Sequence, residues 1–118
     1  MDWAKINHFK EEEFKCKCGC GLCEMDQDFM EHLDWVREQC GIPLAILSGY
    51  RCPAHDKGVG GKGNHTTGKA ADILCNSSTK RYALLYHSIG SFHRFGIGKS
   101  FIHLDDCKDK PQGVAWLY

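Results

Sequence analysis

Hydrophobic positions recur at helical spacing in two parts of the chain. The first run lies between Asp26 and Gly41, and its apolar members are Phe29, Met30, Leu33, Val36 and Cys40. Positions three and four apart share one face of a helix, and aspartate is a favoured N-cap, so this run predicts a helix over about residues 26–40 with its aromatic residues in the core. The second run predicts a helix that is capped by Ser77, Ser78 or Thr79, ends at Gly90, and has one face formed by Tyr82, Leu85, Tyr86 and Ile89.

Five apolar segments have the length of strands: residues 43–47, 70–75, 94–98, 100–105 and 114–118. We expect Phe9 and Phe14 to pack a short N-terminal segment onto the core. Residues 53–68 are rich in glycine and are expected to form a long irregular loop, and such loops in a compact domain are usually functional. Strands on both sides of a helix, joined by short links, predict an α+β fold with a small antiparallel sheet and helices packed on one face.

Length and charge narrow the class of protein. The 118 residues predict a single domain over residues 1–118, because domains typically contain about 150 residues. The 15 basic and 15 acidic residues give a formal net charge of zero, so we expect no nucleic-acid partner. No apolar run approaches the ~18 residues that span a bilayer, and the first residues lack the apolar region of a signal peptide. We therefore expect synthesis in the cytoplasm and no membrane insertion.

Two histidines and one aspartate are candidates for a metal site. His65 lies in the glycine-rich loop, and Asp72 follows it within an apolar strand, with Gly68 between them to let the chain turn. A buried carboxylate must be paired or bound to metal, so a salt bridge from Asp72 to Lys69 or Arg51 is the alternative interpretation. Together with His103, these side chains form a donor set that can hold a catalytic zinc ion and leave one coordination position for water.

Asp105 is predicted to share a face of its strand with His103, because side chains two apart in a strand point the same way. It could orient a metal ligand, or it could accept protons from water at the metal.

The eight cysteines allow several interpretations. Four are close together, namely Cys16, Cys18, Cys20 and Cys23, whereas Cys40, Cys52, Cys75 and Cys107 are scattered. A cluster of this kind indicates thiolate metal binding in a reducing compartment and disulfides in an oxidising one. The spacing lacks the paired CxxC motifs of a zinc ribbon, so reduced or opportunistically oxidised cysteines are a third possibility. A structural protein with its principal metal site in the cluster also remains open.

The candidate residues resemble the M15 zinc peptidases. The motifs that carry the resemblance are Ser48-Gly49-Tyr50-Arg51, His65 and Asp72 with six residues between them, and His103-Leu104-Asp105. The likeness is greatest to the D-alanyl-D-alanine carboxypeptidase-like branch that is common in phage endolysins, and Hedgehog signalling domains share its fold. The resemblance implies a Hedgehog/DD-peptidase-like fold, with zinc held by His65, Asp72 and His103.

The resemblance also assigns roles around the zinc. Arg51 is similar to the arginine that binds the scissile carbonyl or the substrate carboxylate, and Tyr50 and Ser48 are expected to bind substrate. Several branches have an acidic catalytic residue three positions before the last histidine, where this chain has Ser100. Asp105 is therefore the candidate general base.

The function implied by the resemblance is that of a zinc-dependent peptidase acting on peptidoglycan stem peptides, as a D,D-carboxypeptidase or an endopeptidase. An endolysin-like enzyme would be a monomer that reaches the cell wall after release by a holin. Because Ser100 replaces the acid, the alternative is a catalytically impaired, zinc-stabilised module that binds the cell wall.

Overall fold

A five-stranded sheet organises the protein in the computed structural model, which describes residues 1–118. Its strands, in chain order, are β1 (Ile46–Ser48), β2 (Ala70–Leu74), β3 (Arg94–Ile97), β4 (Phe101–Asp105) and β5 (Val114–Leu117). In space their order is β1-β2-β4-β3-β5. The helices are α1 (Glu11–Phe14), α2 (Gln27–Cys40), α3 (Pro53–Gly58) and α4 (Ser78–Ser88). The predicted α+β class is confirmed.

The sheet is mixed rather than wholly antiparallel. The pairs β1–β2, β2–β4 and β3–β4 are antiparallel, but β5 pairs with β3 in parallel. Asp105 at the end of β4 and Val114 at the start of β5 both pair with Arg94. The link between β4 and β5 therefore passes over one end of β3 and places β5 on its far side, where the strand must run parallel to β3.

The two long helices begin as the sequence predicts, and α2 also ends as predicted, whereas α4 ends at Ser88, before the predicted Gly90. The Asp26 carboxylate accepts a hydrogen bond from the Phe29 backbone N–H at 3.0 Å, which caps α2, and Gly41 ends the helix with φ of 67°. The Ser77 hydroxyl caps α4 by accepting from the Lys80 N–H at 3.1 Å. Such caps satisfy backbone donors that have no partner within the helix.

Burial differs from the prediction on both long helices, α2 and α4. On α4, Tyr82, Tyr86 and Ile89 are 64–70% exposed, and the buried positions are Leu84 and Ser88. The prediction that all aromatic residues of α2 lie in the core is also wrong, because Trp35 is half exposed. None of the helices combines the length and the apolar character that crossing a membrane requires.

The segment 53–68 is not one irregular loop. Residues Pro53–Gly58 form α3, and residues His65–Thr67 form a short 3-10 helix. Pro53 occupies the first helical position, where its fixed φ suits the helix and its missing N–H costs nothing. The many glycines of the segment suggested a loop. Most of them lie after α3, so they do not interrupt the helix.

The two faces of the sheet have different chemistry. Ala71 and Ile73 of β2 and Ile102 and Leu104 of β4 belong to a core of 20 buried residues that also includes Phe29, Leu33 and Leu84 from the helices. Phe9 and Phe14 are part of the same core, as expected. Alternate residues of a strand point to opposite faces, so Asp72, His103 and Asp105 lie on the other face. The core therefore fixes the strands that carry the polar site.

Candidate metal centre

Asp72 and His103 are brought together by strand register. They are direct partners across the antiparallel pair β2–β4, and Oδ1 of Asp72 lies 2.9 Å from Nδ1 of His103. Directly paired residues of neighbouring strands place their side chains side by side on one face. Two of the three candidate ligands are therefore positioned by the sheet itself.

His65 comes from the short 3-10 helix before β2. Its Nε2 lies 3.4 Å from Oδ1 of Asp72, and its imidazole centre is 5.2 Å from that of His103. The turn that follows depends on Gly68, which has φ of 73°, and a Cβ there would overlap the carbonyl oxygen of Glu24. The predicted turn between His65 and Asp72 is thus present, and it requires glycine for two reasons.

The three side chains fit a zinc ion. One donor atom from each of His65, Asp72 and His103 lies within 4.8 Å of the other two. Nδ1 of His65 donates to the Gly49 carbonyl oxygen at 2.8 Å, and Nε2 of His103 donates to Asp105 at 2.7 Å. Each ring therefore turns its other nitrogen toward Asp72, and histidine ligands typically hold a metal in this way, with the second nitrogen engaged elsewhere.

Asp72 and His103 shift each other's pKa. Burial by itself would raise the pKa of Asp72, but hydrogen bonds and charge from His103 and His65 hold it far below its usual range. Burial lowers the pKa of His103, yet the carboxylates of Asp105 and Asp72 raise it above the ordinary value. A metal cation would occupy the place of the proton on Nδ1 of His103. The same carboxylates that favour that proton would favour the cation.

Arg51 joins the site through three partners. Its guanidinium lies 3.0 Å from Oδ1 of Asp56 and 3.3 Å from Oδ2 of Asp72, and its Nε donates to the Ser48 hydroxyl at 3.1 Å. The proposed salt bridge between Asp72 and Arg51 is present, because one carboxylate oxygen faces the arginine while the other faces the histidines. A salt bridge to Arg51 and a metal site are therefore compatible at Asp72.

Asp105 lies behind His103 and away from the cleft. Its carboxylate is fully buried and accepts hydrogen bonds from His103 Nε2, from Arg94 Nε at 2.8 Å and from the Cys107 N–H at 3.1 Å. Burial raises the pKa of Asp105, but these partners lower it below the usual value. None of these contacts faces the cleft, so the geometry favours the alternative role of orienting His103, and the role of Asp105 as general base stays a prediction.

The two predicted substrate-binding residues also lie outside the cleft. Tyr50 is only 4% exposed, and its hydroxyl donates to Glu24 at 3.3 Å. Ser48 faces Arg51, so its contribution is to hold the guanidinium. Neither residue lines the cleft, and direct contact of Tyr50 and Ser48 with substrate stays a prediction.

A cleft of about 290 Å³ opens over the three candidate ligands. Besides these ligands and Arg51, its walls include Lys62, Asn64, Phe101 and Tyr118. Asp72 is the only aspartate or glutamate that lines it. Ser100, three positions before His103, is exposed at the turn before β4.

Sequence reasoning missed Asp56 and Arg94. Asp56 is buried on α3, where it pairs with Arg51 and accepts from the Gly63 N–H at 3.0 Å. Arg94 is buried and pairs with Asp105. Asp56 could have been found from the Pro53 helix start, which brings it near Arg51, whereas no sequence signal pointed to Arg94.

Comparison with models of known protein families gives a match. A protein-family model with the description Peptidase M15 matches residues 7–105, which include all three candidate ligands. None of the curated proteins matches the chain.

Proposed function

This chain belongs to the peptidase M15 family, and on that premise we propose that it is a zinc-dependent peptidase that hydrolyses peptidoglycan stem peptides, as a D,D-carboxypeptidase or an endopeptidase. The observation that carries the proposal is the convergence of His65, Asp72 and His103 at the floor of a cleft, beside Arg51. Two imidazoles and one carboxylate form a ligand set typical of catalytic zinc sites, since it leaves a coordination position open.

Zinc bound by these residues would polarise a peptide carbonyl and lower the pKa of a nearby water molecule. The protein contributes orientation. Asp105 fixes the ring of His103, and the Gly49 carbonyl fixes the ring of His65. Because both rings are held by buried partners, the donor atoms keep their geometry when substrate enters.

Arg51 is suited to bind the oxygen that becomes negative during peptide hydrolysis. A guanidinium is always charged and donates hydrogen bonds in a planar fork, which suits carboxylates and developing oxyanions. Asp56 and Ser48 hold Arg51 in place, and Arg51 remains partly accessible from the cleft. We assign Arg51 to the scissile carbonyl or to the terminal carboxylate of the substrate.

The cleft has the chemistry that a stem peptide requires. Lys62 adds positive charge near Arg51, whereas Phe101 and Tyr118 offer apolar surface. Stem peptides carry free carboxylates next to small alanine side chains, so a site that combines cationic and apolar walls suits them. We propose that the enzyme acts as a monomer.

The resemblance to endolysins extends the proposal to the biological setting. An enzyme of this type would be made in the cytoplasm and would act on the cell wall after release, by a holin in a phage. This part of the proposal depends on the resemblance and not on the geometry of the cleft.

One observation favours a second function. No acidic side chain other than Asp72 lines the cleft, so the protein offers no carboxylate to accept a proton from water there. A zinc-stabilised module that binds the cell wall without cleaving it would have the same ligands and the same fold.

Digestion of peptidoglycan fragments, followed by mass spectrometry, tests the proposal and distinguishes the two functions. The peptidase should release shortened stem peptides and new free amines, and His103→Ala should abolish both. His93→Ala, which changes an exposed histidine outside the site, is the matched control and should keep full activity. A wild-type protein that binds zinc and sediments with peptidoglycan, but yields no new amine, would support the binding module instead.

A further inference from the structure

A second cluster of metal-binding side chains lies outside the cleft. Three cysteines of the segment 16–20 meet Cys52, and their thiol sulfurs all lie within 4.8 Å of one another; the four residues are Cys16, Cys18, Cys20 and Cys52. We propose that these four cysteines, hereafter the thiol cluster, bind one structural zinc ion in addition to the ion assigned to the histidine site. The proposal does not depend on peptidase activity.

Distances within the thiol cluster match a tetrahedral ion. Sulfurs bound to zinc at about 2.3 Å lie about 3.8 Å apart along the edges of a tetrahedron. The Cys16 and Cys18 sulfurs are 3.4 Å apart, and those of Cys18 and Cys52 are 3.8 Å apart. Both distances far exceed the roughly 2.05 Å of a disulfide bond, and all four cysteines are free, so their sulfurs are separate donors for one ion.

The surroundings of the thiol cluster also suit thiolates. The backbone N–H of Cys52 donates to the Cys16 sulfur at 3.3 Å, and a negative sulfur is the better acceptor for that bond. Four sulfur donors select zinc or iron over harder cations, and a site closed by four protein ligands has a structural role. Because the four sulfurs lie within 4.8 Å of one another, the cluster has room for a single ion.

The other cysteines are excluded by position. Cys23, which the sequence groups with the first three, points its thiol toward the Glu11 carbonyl oxygen at 3.8 Å. The remaining thiols have partners elsewhere: Cys40 contacts Ala83, Cys75 contacts Ser77, and Cys107 contacts Thr67 and Asn64. The fourth ligand is therefore Cys52, which is distant in sequence.

Residues 17–22 of the loop that supplies three of the sulfurs are all exposed. Residues 16–25 contain no helix or strand, Cys18 and Cys20 are exposed, and Gly19 and Gly21 have positive φ. Its one internal backbone hydrogen bond joins the Cys16 N–H to the Leu22 carbonyl oxygen. Exposed loops of this kind are ordinarily variable in shape. A bound ion explains why three side chains of this loop converge on one point.

Cys52 places the ion next to the candidate active site. The segment 49–52 also makes three hydrogen bonds. The Gly49 carbonyl oxygen accepts from the His65 ring, and the Tyr50 backbone N–H donates to the Phe14 carbonyl oxygen at 2.9 Å. The Arg51 backbone N–H donates to the His65 carbonyl oxygen at 3.3 Å. Zinc at the thiol cluster would fasten this segment to the N-terminal loop. The role of this zinc ion is thus to position Arg51 and His65 without contacting substrate.

Zinc content of the full-length protein, purified under reducing conditions, tests the proposal. We expect two zinc ions per chain in the wild type and one in Cys18→Ser. Cys23→Ser is the matched control, since it removes a thiol of the same segment that lies outside the thiol cluster, and it should keep two ions. His103→Ala should also keep one ion. If only the histidine site binds zinc, His103→Ala will contain none, whereas if only the thiol cluster binds zinc, Cys18→Ser will contain none.

A spectroscopic measurement keeps the test decisive if Cys18→Ser does not fold. His103→Ala loaded with Co²⁺ should show intense thiolate-to-cobalt charge-transfer bands and the strong visible bands of a tetrahedral ion. X-ray absorption of its zinc form should give four sulfurs at about 2.3 Å. Four outcomes would each overturn the assignment. They are metal bound only through nitrogen and oxygen, a single zinc ion in the wild type that disappears in His103→Ala, disulfides within the cluster, and iron in place of zinc.

Discussion

Arg51 and Cys52 are adjacent in the chain, yet their side chains belong to different sites. The Arg51 guanidinium lies 3.3 Å from Oδ2 of Asp72, whereas the Cys52 sulfur lies 3.8 Å from that of Cys18. A single backbone segment thus joins the histidine site to the thiol cluster. A shift of this segment would move the arginine that we assign to the substrate.

Arg51→Lys should reduce kcat/KM for peptidoglycan fragments about 10²-fold, the usual loss when a donor to a developing oxyanion is removed. A lysine ammonium cannot contact Asp56, Asp72 and Ser48 together as the guanidinium does. Zinc content should not change, because Arg51 supplies no ligand. Arg81→Lys, which changes an arginine bound only to the Lys99 carbonyl, should leave kcat/KM as it is. Equal rates for the two variants would remove Arg51 from the mechanism.

Asp105→Asn should weaken zinc binding about 10- to 100-fold, the usual effect of losing the partner of a histidine ligand. The amide retains the size of the side chain but lacks the charge that holds His103 and Arg94. Competition with a chromogenic chelator measures the change. Asp106→Asn is the matched control, because the neighbouring carboxylate pairs with exposed Lys108. Normal zinc affinity combined with a large loss of kcat would instead support Asp105 as the general base.

Protein freed of metal by a chelator should become less stable as the pH rises. Burial lowers the pKa of His103, but its two carboxylate partners raise it above 6.5. A group with a raised pKa in the folded state stabilises the fold fully below its unfolded value, and this stabilisation is lost as the pH rises through the folded value. Urea unfolding at a series of pH values above 6.5 should therefore show a falling free energy of unfolding.

The histidine responsible can be identified by substitution. His103→Gln keeps a polar side chain that does not titrate, so its free energy of unfolding should lack this component of the alkaline decline. The acid limb has the opposite sign, because the pKa values of Asp72 and Asp105 are depressed in the folded state. Their stabilisation is present above about pH 3.8 and is lost as the pH falls through the depressed values. An alkaline decline of equal size in His103→Gln would show that another group causes it.

Gly68→Ala should destabilise the fold more than Gly41→Ala. Both glycines have positive φ, which costs an L-residue about 1–2 kcal/mol, but only at Gly68 would a Cβ meet the backbone of Glu24 and Met25. Thermal or urea unfolding measures the difference. Gly68→Ala should also weaken zinc binding, since this turn sets His65 against Asp72. Equal losses in the two variants would mean that the chain near Gly68 yields easily.

The candidate zinc ligands were predictable because each has a distinctive local setting. An aspartate within an apolar strand is costly unless it has a partner, and a histidine in the glycine-rich segment before it offers one. The strand around His103 could be recognised in the same way. Register then brings Asp72 and His103 together, and the alternation of buried and polar positions already implied that they share a face with Asp105.

Other features depend on contacts that are distant in sequence. Asp56 lies in a segment whose glycines suggested a loop, and its pairing with Arg51 becomes apparent only once α3 is known. Spacing alone grouped Cys23 with the other cysteines, whereas the fold brings Cys52 to them. Tyr50 has an aromatic ring and a hydroxyl group that suit a substrate contact, but its position beside Phe14 buries it.

The parallel strand β5 has a consequence for any shortened form of the protein. A chain cut after Asp105 would keep every candidate zinc ligand but would lose Trp116, which covers Gly96 and stacks against the Arg94 guanidinium at 4.9 Å. Strand β3 would then become an open edge, with unpaired N–H and C=O groups along its length. Edges of that kind recruit strands from other molecules. We therefore expect the truncated protein to self-associate through this strand.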